Sequence, residues 1–382
     1  MIVERLTTLE QLAGLAPEWR ALQASTTFPL PFNTADWALC WWKHLREKQL
    51  TVRDRQFTLA VRAEDRSLVG VAPLMITERP GVGLLRARCL QFIGADPNIT
   101  EVRTLLARPD AEEAVYRAVS EQVMLASSEW DWMQWTGVHA AGPGRAVLGE
   151  RGLDWTEPLS CWVLPLAPTW EEFRGGLSRN IKESLRKCVN APKRDGIELR
   201  FQVARQPEEV TAALTRFFDL HAERAALEGT IQHPDVFRDR PAREFLRDYC
   251  ALGAARGEVH VFCLKVGEEV IAVRIGFRSG DSMYLYYSGY DTKYARYSVM
   301  THCLAEALRW SIEAGVKEVN LSIGTDVSKT RWSPQQHLFH SGKLLSPNLR
   351  GRAVHGAYQW LSQRLRDERI RGLSRVFGRR RG

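Results

Sequence analysis

Tyr284-Leu285-Tyr286-Tyr287-Ser288-Gly289-Tyr290-Asp291 is an aromatic-rich stretch that reads as a β-strand running into a loop. Helical spacing follows over residues 297–314, with Met300, Cys303/Leu304, Ala307/Leu308 and Ser311/Ile312 as the apolar stripe. Gly315 suits the position just past a helix end. Val319-Asn320-Leu321-Ser322-Ile323-Gly324 then belongs to a closing strand that starts near Lys317. A strand that enters a helix through a loop leaves unpaired N–H groups at the helix start, and these can hold an anion such as a diphosphate.

Outward from this core, residues 258–266 and 270–278 predict a hairpin turning at Gly267-Glu268-Glu269, with residues 282–288 as a third antiparallel strand. A long helix is expected over 207–227, a strand over 197–203 and a helix over 178–190. Leu177, Ile181, Leu185 and Cys188 stripe that last helix, while Arg179, Lys182, Arg186 and Lys187 fall largely off the stripe. Residues 1–165 repeat the order: helices near 8–23 and 34–45, a hairpin over 57–74, a strand over 88–94, a helix over 111–128 and a strand over 130–135. The repeat is one of architecture, with Phe57–Leu74 corresponding to His260–Arg278 and Trp130–Trp135 to Lys317–Ser322. The expected fold class is therefore α+β. It has two tandem units, at 1–165 and 166–349, each a twisted, mostly antiparallel sheet flanked by helices. A basic helical tail at 350–382 completes the chain.

The net charge of +8 resides in that tail, which has ten arginines, no lysine and two acids; residues 1–349 sum to zero. A polycationic body is thereby excluded. Tyr358, Leu361, Leu365, Ile370, Leu373 and Phe377 give the tail an apolar side, so contact with anionic lipid or nonspecific contact with nucleic acid is open, beside a plain solvated terminus. The seven cysteines are scattered, without C-x-x-C or zinc-ligand spacing, so no metal site is expected and a reducing, cytoplasmic setting fits. No apolar run reaches the length of a membrane span, and no signal peptide is read at Met1–Leu6.

The central string, taken with Glu18-Trp19-Arg20-Ala21-Leu22, Pro31-Phe32-Asn33 before Trp37, and Val69-Gly70-Val71-Ala72-Pro73-Leu74, resembles GNAT-superfamily acyltransferases of the CelD/BcsL type. The basic helix, His221 with Arg224, and Gly324 five residues before Lys329 extend the resemblance over about residues 1–350. The resemblance implies a doubled GNAT fold. It also implies transfer of an acetyl or longer acyl group from acyl-CoA to an amine or hydroxyl, with exopolysaccharide or envelope saccharides as the acceptor class. Related Fem peptidyltransferases share the doubled fold and draw on aminoacyl-tRNA, which leaves a tRNA donor as an alternative. A non-catalytic GNAT-like scaffold is a third reading.

Direct acyl transfer needs positioning, a proton acceptor, an oxyanion stabiliser and a proton donor for the thiolate. The candidate catalytic residues are His221 as base, Tyr287 as proton donor, and Asp326 and Lys329 in the loop after the last strand. For each there is a plain alternative: a satisfied helical histidine, cross-strand aromatic packing, a solvated loop. Side-chain alternation is expected to put Tyr284 and Tyr286 on one face and Tyr287 on the other. Lys293, Arg296, Tyr297 and Ser298 are the candidate cofactor-binding residues before the helix. That loop has no glycine between Gly289 and Gly315, and Asn320 and Ser328 stand where the family would place Asp and Tyr.

Overall fold

The computed structural model describes residues 1–81, 85–96, 98–226, 234–360 and 363–364. In the first half the order is β1 (Ile2–Leu6), α1 (Leu9–Gln23), α2 (Ala35–His44), β2 (Arg53–Gln56), β3 (Thr58–Arg62), β4 (Leu68–Ala72), β5 (Leu74–Pro80), β6 (Arg86–Phe92), β7 (Leu106–Ala107), α3 (Glu112–Leu125), β8 (Trp132–His139), α4 (Gly144–Gly149), β9 (Asp154–Trp155) and β10 (Leu159–Pro165). The second half continues with α5 (Trp170–Gly176), α6 (Arg179–Arg194), β11 (Leu199–Ala204), α7 (Pro207–Ala225), α8 (Arg240–Ala254), β12 (Val259–Val266), β13 (Glu269–Ser279), β14 (Ser282–Tyr290), α9 (Val299–Glu313), β15 (Glu318–Ile323), α10 (Val327–Thr330) and β16 (Gln335–Leu345).

Local chemistry accounts for several boundaries. Thr8 and Gln11 form a reciprocal capping box at the start of α1. Ser178 accepts from the Ile181 amide to start α6, whose last turn contains Pro192 rather than ending before it. A 3-10 turn over Thr292–Tyr297 delays α9 to Val299, two residues later than the periodicity predicts. Gly315 closes α9 at a φ of 75°, the left-handed conformation that favours glycine.

One sheet runs through both halves in the order β11-β12-β13-β14-β15-β10-β16-β8-β6-β5-β2, and β1-β3-β4-β7 form a second. The long first-half hairpin belongs to both sheets: Leu59 pairs with Ala72 in one and Gln56 with Met75 in the other. The chain bends at Phe57 and Pro73, where the Phe57 amide donates to Leu74 O at 3.0 Å. The repeat is thus real at the level of topology. In each half an antiparallel pair leads to a strand with a parallel partner, β6 beside β8 and β14 beside β15.

Each parallel pairing lasts three residues: Cys89–Gln91 with Trp132–Gln134, and Ser282–Tyr284 with Glu318–Asn320. Beyond these the strands part. In the first half residues 103–104 press against the departing β8. Thr136 Oγ1 donates to Arg103 O at 2.8 Å, and a Cβ on Gly137 would lie 2.2 Å from that same oxygen. In the second half β15 turns to β10, with a register break between Cys161 and Val163.

Apolar layers hold the sheet from both sides. Helices α1, α2, α7 and α8 share one core with the Tyr284 and Tyr286 face of β14. Helices α5, α6 and α9 cover the opposite face through Phe262, Leu264, Met283 and Leu285. Trp19, Trp37, Trp41, Trp130 and Trp135 are fully buried, so these indoles are core rather than sugar platforms. All seven cysteines are free and buried. Among the described residues no helix is long and apolar enough to cross a membrane, and no group of three or more His, Cys, Asp or Glu is placed to hold a metal. In the tail region residues 349–360 are helical. There the Arg350 guanidinium pairs with buried Asp131, and Tyr358 stacks on Trp132 at 5.1 Å. Leu361, Leu365, Ile370, Leu373 and Phe377 of the expected apolar side lie outside the described residues.

Candidate functional site at the parting of β14 and β15

Past Tyr284 and Asn320 the two strands no longer bond to each other, so β14 has β13 on one side only. Backbone groups of Leu285 to Tyr290 on the open side are available to a ligand. A bulge sits in the same stretch: Arg274 pairs with Ser288 and Gly276 with Leu285, so Ile275 faces both Tyr286 and Tyr287. Tyr287 therefore does not take the face opposite Tyr286 that simple alternation predicts, because the extra residue turns its ring to the side Tyr286 occupies. The two rings are 4.6 Å apart.

All three tyrosines bond to one segment of the first half. Tyr287 donates to Asn98 O at 2.7 Å, Tyr286 to Ile99 O at 2.5 Å, and Tyr284 to the Glu101 carboxylate. Asp96 shapes this segment from below. It accepts from the Ile99 and Thr100 amides at 2.7 and 2.9 Å, from the Thr100 hydroxyl at 2.7 Å and from Trp41 Nε1 at 2.8 Å.

Glu101 is the group that sequence reasoning missed. Its Oε2 accepts from Tyr284 and from Ser322 Oγ at 2.7 Å, joining β14, β15 and the first half at one carboxylate. Burial pushes its pKa up, against the pull of the two hydroxyls and of the Lys329 charge. Ser322 holds a φ of 73°, a strained conformation for a non-glycine residue, and its amide donates to Asn320 Oδ1 at 2.9 Å. Asn320 thereby keeps a structural role where the family would place Asp, and it also accepts from Cys161 Sγ at 3.2 Å. The available signal was the long connection between β6 and α3, a length at which loops tend to be functional.

Two sequence candidates join this cluster. Lys329 Nζ donates to Ile323 O and stands 3.5 Å from Asp326 Oδ2. Asp326 is held below the usual carboxylate range; burial opposes this, but the Ser328 hydroxyl and the Lys329 charge outweigh it. His221 lies on α7 and packs against β14. Its ring is enclosed by Phe217, Phe237 and Tyr287 at 5.4–5.6 Å, with Nε2 3.8 Å from Asp235 Oδ1. Burial pushes the Tyr287 phenol well up, and its proton is committed to Asn98 O.

The loop before α9 is built without glycine because Ser298 takes the left-handed conformation itself, at a φ of 53°. No side chain caps the start of α9. Lys293, Arg296 and Ser298 are exposed, whereas Tyr297 is buried and donates to Asp195 Oδ2 at 2.8 Å. Arg296 leans on the Tyr297 ring and lies 3.7 Å from the same carboxylate. On the other side of the strand pair, a cavity of about 530 Å³ opens between the α1–α2 connection and α8, with Tyr284 and Asn320 in its wall.

A bulged strand, a parallel partner that leaves it after three residues, and a helix start at the open end lie together in the second half. Residues 179–330 match the family model described as acetyltransferase (GNAT) domain, and that stretch is a GNAT domain. The whole chain is similar in fold to FemX, at 12% identity and a TM-score of 0.58, covering 89% of this chain and 97% of that one. It is also similar to the C-terminal domain of a protein from Agrobacterium fabrum assigned as a lysylphosphatidylglycerol synthetase, at 11% identity, a TM-score of 0.53 and coverages of 92% and 96%. A conserved protein of unknown function from Bacteroides thetaiotaomicron matches at 13% identity and a TM-score of 0.51, covering 90% and 100%. These likenesses concern the fold. No curated protein matches the chain by sequence.

Proposed function

We propose that the protein transfers an acetyl or longer acyl group from acyl-CoA to an amine or hydroxyl, with Glu101 as the base that takes the acceptor's proton. One observation carries this reading. A carboxylate with a raised pKa is held by Tyr284 and Ser322 where β14 and β15 part, so a titratable group meets an open strand edge there. The donor carbonyl would lie along the free edge of β14, its oxygen accepting from a backbone N–H there. The diphosphate of CoA would rest near Lys293, Arg296 and Ser298 at the start of α9. The acceptor would enter through the 530 Å³ cavity, whose wall reaches Tyr284 and Asn320. Lys329 would stabilise developing negative charge. By the CelD/BcsL resemblance the acceptor is a saccharide amine or hydroxyl of exopolysaccharide or envelope, with the chain acting in the cytoplasm and its basic tail near anionic membrane.

The deciding experiment is a calorimetric titration with acetyl-CoA and a longer acyl-CoA, followed by thiol release in the presence of amino sugars and amines. Micromolar binding with acceptor-dependent release supports the reading; binding of neither ester rejects the donor.

A second reading, transfer from aminoacyl-tRNA, is favoured by α6. That helix exposes Arg179, Arg186, Lys187, Lys193 and Arg194 beside the α9 loop, and its sole acid is Glu183. Steeply salt-dependent tRNA binding would support it over the CoA donor.

A further inference from the structure

Arg274 takes no part in the proton transfer described above, yet its position is unusual. It sits mid-strand on β13 between Phe262 of β12 and Ser288 of β14. Two residues from Ala272, it faces the α9 side of the sheet, where its strand neighbours are apolar core. Its Nε is shut off from solvent without a hydrogen-bond partner, and no hydrogen bond or ion pair ties the guanidinium to any described residue. Burial pushes its pKa down, and the nearby charge of Arg224 pushes the same way.

The surroundings are cationic. Arg224 stands over the Tyr290 ring, 5.8 Å from its centroid, at the end of β14. Lys329 lies at the end of β15, and Arg331 follows α10 with Nε and Nη2 buried and unpartnered. Among the described residues Asp326 lies in electrostatic range of both Arg224 and Arg274, and it is already engaged by Ser328 and Lys329. Holding a partly buried guanidinium, its Nε enclosed, without a bonded counter-charge is costly. A fold that keeps one beside an open strand edge implies that the counter-charge arrives with a ligand.

We propose that Arg274 anchors an oxyanion site on the α9 side of the β14–β15 cleft, which receives a carboxylate or phosphate carried by the substrate near its reacting end. The inference rests on the acyl-transfer reading only in calling the bound molecule a substrate. It narrows the substrate class, because a neutral acetyl group and a neutral sugar hydroxyl leave Arg274 unpaired.

The test uses the full chain, without any donor, titrated with malonate and with inorganic phosphate at constant ionic strength by calorimetry and thermal melting. One of the two anions is expected to bind the wild type. Arg274→Met, which removes a partly buried charge with no bonded partner, should melt no lower than the wild type and bind that anion at least about tenfold more weakly. Tighter binding of malonate assigns a carboxylate and tighter binding of phosphate assigns a phosphoryl group. Binding of neither anion, or equal binding by wild type and the Met variant, overturns the site. Should Arg274→Met fail to fold, Arg274→Lys decides: a clear loss of affinity in a folded protein upholds the site, and unchanged affinity overturns it. Acyl-CoA turnover is measured separately, so an anion site without turnover rejects the acyl-transfer reading alone, and turnover without anion binding rejects this one alone.

Discussion

Glu101→Gln tests the core of the functional reading. Gln keeps the size of the side chain and an oxygen that can accept from Tyr284 and Ser322, so the contact between the halves should persist. It removes the basic oxygen. A positioned general base contributes roughly 10²–10⁴-fold, so kcat is expected to fall about a hundredfold or more while donor affinity stays put. The pH profile carries the second part. Because burial raises the folded pKa of Glu101, the wild type should show an acid limb above the ordinary glutamate range, and that limb should vanish in the variant. Stability moves the opposite way. A raised folded pKa means the native state holds more protons than the unfolded one between the two values. The native advantage is complete below the unfolded pKa and declines as pH rises through the folded one. Near neutral pH the Gln variant should therefore melt at or above the wild-type temperature. Thiol release from acetyl-CoA is a clean assay here, since the seven native cysteines are buried. A Gln variant with wild-type kcat and an unchanged acid limb refutes the base assignment.

Four further outcomes follow from the same geometry. Tyr284→Phe removes a bond that favours the Glu101 carboxylate, so the acid limb of the rate profile should move to higher pH; a fixed limb would separate the two residues. Lys329→Ala should lower kcat/KM about tenfold or more with little change in melting temperature, because the Lys329 ammonium is partly exposed and its structural partner is the Ile323 carbonyl. Gly137→Ala places a Cβ against Arg103 O and adds a side chain at a φ of 67°, so it should cost about 1–3 kcal/mol in denaturant unfolding and reduce turnover through displaced Glu101. His260 is buried against Trp310, and burial with neighbouring arginines pulls its pKa down to about 4. Its folded pKa is depressed, so stability is present above about pH 6.5 and falls as pH drops toward 4; His260→Phe should flatten that decline in pH-dependent melts.

The parts legible in the sequence were those specified locally. Gly267 and Gly315 mark a turn and a helix end by conformation, and the stripes of α6 and α9 follow from period alone. Asp326 and Lys329 stand out as candidates in the sequence because they follow a strand that carries a family-like pattern. Glu101 could not: it lies in an aperiodic connection, and its partners Tyr284 and Ser322 are 183 and 221 residues away in sequence. Tyr287 was misplaced for a different reason. Alternation assumes an unbroken ladder, and the bulge opposite Ile275 adds one residue to β14 without leaving a mark on composition. Arg274 reads in the sequence as the polar residue of an ordinary alternating strand, and its lack of a partner is visible only in three dimensions.

The position of Glu101 follows from the use each half makes of its strand divergence. Both halves part their parallel strands after three residues, so both have the beginnings of a cleft. In the first half residues 103–104 close against Thr136 and Gly137, and a side chain at 137 would find no room. The same connection, a few residues earlier, meets Tyr287, Tyr286 and Tyr284 and sets Glu101 in the mouth of the second cleft. The segment that fills one opening thus supplies the carboxylate of the other. On this account the first half is needed for more than bulk. An isolated second half would keep its strands, Lys329 and the α9 loop but would lack the proposed base and leave three tyrosine hydroxyls of β14 without their acceptors. Duplication of the fold followed by closure of one copy would give this arrangement directly. The chemistry then belongs to the junction, which neither repeat contains alone.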